Sequence, residues 1–207
     1  MSTSSVLAQF KEPLTNLGFR KRAGAIYTIE LDEGVIGWVG LGTSTRYQQP
    51  GLVLVSPRVG VRHQGVHKII ADIRGEKFHP YLPPTVSIGL GYVMPDDSYK
   101  DWAVSEDPVS HAFVSEAVDA IERYGLSFMR EHCGLDRTDS EAERLSANPE
   151  YVRPVLKYLL HGPDPALEEI RARASKLGGA SDPASQLLRE FLSELRRRVL
   201  DGTISES

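Results

Sequence analysis

Four segments with strand periodicity crowd residues 24–94, and beyond them the chain reads almost wholly helical. Alternating segments bury every second residue, whereas helices bury every third or fourth. A chain carrying the two patterns in separate blocks must build a sheet and then pack helices, which is an α+β fold. The changeover falls at Glu106-Asp107-Pro108, an acidic cap followed by a first-turn proline.

The first alternating run, about 24–31, sets Ala25, Tyr27, Ile29 and Leu31 against Ile26, Thr28 and Glu30, and Asp32-Glu33-Gly34 is a hairpin turn. A glycine-rich strand follows at about 35–46. The third, 52–63, puts Val53, Val55, Val59 and Val61 on one face and Ser56, Arg58 and Arg62 on the other. Pro57 inside it predicts an edge strand or a bulge. The fourth, 85–94, alternates Val86, Ile88, Leu90, Tyr92 and Met94 with Thr85, Ser87, Gly89 and Gly91, a small-residue face that can lie against solvent or receive a partner.

Helical spacing appears at Val6, Phe10, Leu14 and Leu17, interrupted by Pro13. It recurs at Val66, Ile69, Ile70 and Ile73, and in a main helix from Asp107-Pro108 to Tyr124, which Gly125 is expected to interrupt. Three further helices start at Asn148-Pro149, Asp164-Pro165 and Asp182-Pro183. The division expected is an α+β domain over 1–135, an acidic linker over 136–147 and a subdomain of three helices over 148–207. The sheet has four or five antiparallel strands, with the 4–17 and 107–124 helices on one face.

With 207 residues the chain can bury a substantial core, and its net charge of −4 leaves no excess of cations for general nucleic-acid binding. Arg20-Lys21-Arg22 and Arg196-Arg197-Arg198 are short and lie at expected helix ends, where cations complement the helix dipole. The single cysteine, Cys133, forms no internal disulfide, and no secretory or membrane-spanning pattern is present. A cytoplasmic protein without membrane association is expected.

No reactive constellation stands out. His63 and His67 stand four apart, but a strand end and Gly65 separate them and no glutamate accompanies them, so they read as surface or capping histidines. His132-Cys133 follows an apolar helix, where a free cysteine packs as a small hydrophobe. Gly37-Trp38-Val39-Gly40-Leu41-Gly42 and Gly89-Leu90-Gly91 lack the following helix that phosphate binding requires. No metal and no cofactor are expected.

Two clusters point to binding. Asp96, Asp97, Tyr99, Asp101 and Trp102 form an acidic loop with aromatic anchors, suited to a basic protein partner. Arg58 and Arg62, with Arg46 near the preceding turn, could hold an anion on an exposed sheet face. The last helix, 183–200, carries an apolar stripe wide enough for an oligomer contact.

The chain also resembles a group of small bacterial α+β domains of unknown function. The resemblance lies in Leu17-Gly18-Phe19-Arg20-Lys21-Arg22 leading into the strands and in Tyr124-Gly125-Leu126-Ser127-Phe128 ending the helix after them. It covers about residues 5–135, with Ser127 where proline is usual. Some of these domains accompany toxin–immunity loci, so the resemblance implies a protein that binds and neutralises another. The expectation is a protein-binding module. The alternative is an enzyme or small-ligand binder using the glycine-rich sheet with Arg58, Arg62, His63 and His67.

Overall fold

A computed structural model of the chain describes residues 2–45, 51–105 and 110–204. The expected helix start at Glu106-Asp107-Pro108, and Arg46, lie outside the described residues. The fold is α+β, with a six-stranded open antiparallel sheet. Contacts divide the chain into two compact units: residues 1–62 with 87–133, and residues 63–86 with 134–207.

The first unit begins with α1 (Thr3–Gln9) and α2 (Lys11–Asn16), broken at Phe10 as Pro13 demands. Ser2 caps α1 by accepting from the Ser5 amide. Val6, Phe10, Leu14 and Phe19 are buried. The strands are β1 (Arg20–Lys21), β2 (Ile26–Asp32), β3 (Val35–Ser44), β4 (Val53–His63), β5 (Val86–Gly89) and β6 (Trp102–Val104).

The sheet order is β1-β2-β3-β4-β5, with β6 also paired to β4. β1 and β6 raise the strand number above the four or five expected, because two or three residues are too few to show alternation. Trp38 of β3 stands opposite Thr28 of β2, and Trp102 of β6 stands opposite Val55 of β4. β4 is central rather than an edge. Pro57 falls just past the last rung with β6.

The strand expected over 85–94 stops at Gly89, and Leu90–Val93 forms a 3₁₀ turn. After β6 come α4 (His111–Ala120), a widened π-type turn (Ile121–Gly125) and α5 (Leu126–Glu131), one helical run that Gly125 does not interrupt. Gly125 serves packing: a Cβ there would press on Val59 Cγ1 at 3.0 Å. Gly37 does the same for Met129 of α5, whose Sδ would lie 2.7 Å from such a Cβ. Helices therefore cover the face of the sheet that carries Val59 and Ile29.

In the second unit, α3 (Gln64–Ile73) joins α6 (Leu135–Leu145), α7 (Pro149–His161), α8 (Pro163–Leu177) and α9 (Pro183–Asp201). Residues 136–147, expected as a linker, lie mostly in α6. Its few apolar positions still bury Thr138, Ala142 and Leu145 on one side, which suffices because α7 packs against it. α8 starts at Pro163, just ahead of the expected Asp164-Pro165.

Asp182 caps α9 by accepting from the Ser185 amide at 3.0 Å, and Gly202 ends it with φ +64°. α7 is the hub, touching α3, α6, α8 and α9. The Tyr151 ring meets Phe191 edge-on at 4.9 Å and carries the Arg74 guanidinium at 4.7 Å. Phe191, Leu192, Leu195 and Val199 of α9 are buried within the unit, while Leu187 and Leu200 stay exposed.

Candidate functional site

Alternation along β4 turns Ser56 and Arg58 away from the helices, onto the opposite face of the sheet. The β6 rung at Val55↔Trp102 then brings the 99–101 segment beside them. The Ser56 hydroxyl donates to Asp101 Oδ1 and lies 3.2 Å from the Tyr99 hydroxyl. Arg58 Nη2 donates to the Ser87 carbonyl oxygen at 3.2 Å and lies 3.3 Å from Ser87 Oγ. Arg58, Tyr99 and Asp101, expected in two separate clusters, thus share one surface centred on Ser56.

The acidic loop is folded on itself. Ser98 and Met94 both donate backbone N–H bonds to the Gly91 carbonyl oxygen at 3.3 Å, and Asp97 donates to that of Met94 at 3.0 Å. Asp97 takes φ +42°, a left-handed conformation an aspartate accepts more readily than most residues. Asp96 and Asp97 are exposed at the tip. Tyr99 is 66% exposed and Tyr92 46%.

Trp102 does not belong to this surface. It is 2% exposed, because it faces the helices in register with Val55. The Lys100 ammonium lies 5.0 Å from its ring centre and bonds Glu116 at 2.6 Å, which holds the Glu116 carboxyl below its usual range.

Arg62 is not a surface anion site. At 1% exposure it is buried, and desolvation lowers it to about 10. Thr85 and Ser87, read as an open small-residue face, are buried too, each as a hydrogen-bond partner.

His63 and His67 are core residues rather than surface ones. In the second unit, the His63 amide donates to Thr85 Oγ1 at 2.9 Å, and His67 Nε2 meets the same oxygen at 3.1 Å. His63 Nε2 meets Thr138 Oγ1 of α6 at 2.9 Å. Both histidines and both threonines are buried. Among the described residues no three His, Cys, Asp or Glu side chains gather as metal ligands would.

In the first unit, His132 stacks on Phe128 with ring centres 4.1 Å apart, and its Nδ1 meets the Phe128 carbonyl oxygen at 2.9 Å. Cys133 donates to the Met129 carbonyl, and burial, reinforced by the Asp32 charge, pushes its thiol up, away from the thiolate a nucleophile needs. The two neighbours are each tied back to α5 and not to one another.

Ser56 and Ser87 are the residues that sequence reasoning passed over. Period-two alternation already placed Ser56 with Arg58. Its link to Asp101 depends on the three-residue β6, which has no signal of its own.

Searched against protein-family models, curated proteins and solved structures, the chain matches none of them. Among the described residues, no helix is long and apolar enough to cross a membrane.

Proposed function

We propose that this protein is a cytoplasmic protein-binding module that meets its partner through the surface around Ser56 and Arg58 and the acidic loop of the first unit. The observation that carries the reading is the setting of Tyr99. Its ring is largely exposed while its hydroxyl is held beside Ser56 and Asp101. An aromatic side chain fixed at one end loses little entropy on binding, which is what makes tyrosines effective anchors.

Around it, Asp96 and Asp97 sit on a loop already folded, and Arg58 is oriented by Ser87. That surface suits a partner carrying basic residues around an aromatic-sized recess. An immunity-type role, in which binding neutralises a toxic or defence-associated protein, fits such a preformed surface and the resemblance of the 5–135 region to domains from toxin–immunity loci.

The test is affinity capture of the full chain from its native host, beside a variant carrying Asp96→Ala, Asp97→Ala and Tyr99→Ala. One stoichiometric partner that the folded variant fails to hold is the expected result. A partner held equally by both proteins would rule this surface out. Recovery of no partner, together with a co-purifying small molecule, would favour a ligand binder instead. If a partner is found, its toxicity on expression alone, relieved by co-expression of this chain, tests the immunity role.

A further inference from the structure

In the second unit a turn after α3 is closed by an imidazole. The chain there runs Phe78-His79-Pro80-Tyr81-Leu82-Pro83-Pro84. The backbone N–H groups of Tyr81 and Leu82 both donate to His79 Nδ1, each at 3.1 Å. Accepting from the amides two and three residues on is how aspartate, asparagine and serine side chains commonly close a turn. Here a histidine takes that place.

The substitution fixes the protonation state of the ring. A backbone N–H can only donate, so Nδ1 must present its lone pair and the ring proton must sit on Nε2. Imidazolium carries a proton on both nitrogens and accepts nothing. One proton added at Nδ1 therefore removes both bonds together. His79 is exposed, so solvent protons reach it directly. The Tyr81 ring meets it edge-on with centres 6.1 Å apart, and from α3 the uncharged Gln64 side chain donates to the Pro80 carbonyl oxygen at 2.9 Å. The nearest charges along the chain are Lys77 and Glu76, the second paired with Arg74 at 2.7 Å.

We propose that the 79–82 turn is a proton switch. It is closed while His79 is neutral and released when Nδ1 is protonated, in the mildly acidic range where histidine side chains change charge. The Gln64 bond survives release, because an amide does not titrate. What is freed is the backbone of Tyr81 and Leu82, and the Leu82 side chain is already 37% exposed. The switch lies within the second unit and does not rest on the protein-binding reading of the Tyr99 surface.

The test is a two-dimensional amide NMR titration of the full chain from about pH 8 to about pH 5, with the His79 ring signals followed alongside. It is repeated on His79→Asn and His79→Ala. Asparagine keeps an acceptor oxygen where Nδ1 stands but does not titrate. In the native chain the Tyr81 and Leu82 amide signals are expected to move in step with the His79 ring. Their protection, corrected for the intrinsic pH dependence of exchange, should fall about tenfold, the weight of one or two net hydrogen bonds. In His79→Asn both amides should stay protected across the range, and in His79→Ala both should be unprotected throughout. Amides that do not follow the His79 ring, or the same pH step surviving in His79→Asn, overturn the proposal.

Discussion

Gly91 lies so close beneath Ser98 that a Cβ on it would overlap the Ser98 carbonyl oxygen. The same glycine accepts the backbone bonds that fold the 94–98 loop. Glycine is thus required at 91 by a neighbouring backbone, which cannot swing aside as a flexible side chain can. Gly91→Ala is expected to cost about 1–3 kcal/mol, the range for forcing extra volume into a packed site, and to free the Asp96–Tyr99 surface. Urea denaturation and amide exchange of residues 94–99 measure the two effects. Unchanged exchange would mean that the loop does not depend on Gly91.

Tyr27 is 1% exposed, and its hydroxyl has no hydrogen-bond partner among the described residues. A buried, unpaired hydroxyl costs about 1–3 kcal/mol, so Tyr27→Phe is expected to stabilise the protein by about 1 kcal/mol. Desolvation by burial raises the Tyr27 phenol. The folded protein therefore holds this proton more tightly than the unfolded chain does. The contribution is full below about pH 10, where a free tyrosine titrates, and is lost as pH rises above it. Tyr27→Phe should remove that alkaline component from the stability–pH curve. A destabilised variant would reveal a hydrogen bond at the hydroxyl.

Arg173 is buried between Glu143 and Glu169, tying α6 to α8, while Arg153 of α7 also bonds Glu143 at 3.1 Å. These arginines, Arg173 first, hold the Glu143 carboxyl below its usual range. A depressed carboxyl contributes stability above its unfolded value and loses it as pH falls through the folded one. Stability should therefore drop below about pH 4.5, where a free glutamate titrates. Glu143→Gln should flatten that drop and cost about 0.5–1 kcal/mol at neutral pH, a small figure because Glu143 is half exposed. Parallel acid limbs in the two proteins would contradict it.

Thr138 of α6 is fully buried with its hydroxyl on His63 Nε2. Thr138→Val keeps the shape and removes the hydroxyl, leaving a ring nitrogen without that partner inside the second unit. A loss of about 1–3 kcal/mol is expected, read by thermal or urea denaturation. Thr138→Ser, which keeps the hydroxyl and gives up the methyl, should lose less than Thr138→Val, and the reverse order would assign the stability at this position to the methyl group.

What the sequence determined by itself is what rests on near neighbours. The β2–β3 hairpin follows from alternation plus Asp32-Glu33-Gly34, and α9 from Asp182, its apolar stripe and Gly202. The N-terminal break follows from Pro13, and the placing of Ser56 with Arg58 from a period of two. Each of these depends on residues within a few positions of one another, so composition and spacing carry the information.

Only the tertiary structure decided which partners meet across the chain. Residues 136–147 look too polar for a packed helix, yet become α6 because α7 supplies the buried face. Leu90, Tyr92 and Met94 continue a strand pattern, yet the chain turns at Gly89 because Gly91 must lie under Ser98. Arg62 and Arg58 share a parity, but one is buried and the other exposed. His63 reaches Thr138, and Ser56 reaches Asp101, over separations that no local spacing encodes. Long-range contacts depend on volumes and hydrogen-bond partners brought together by folding, and those decide burial, protonation and the surface left for binding.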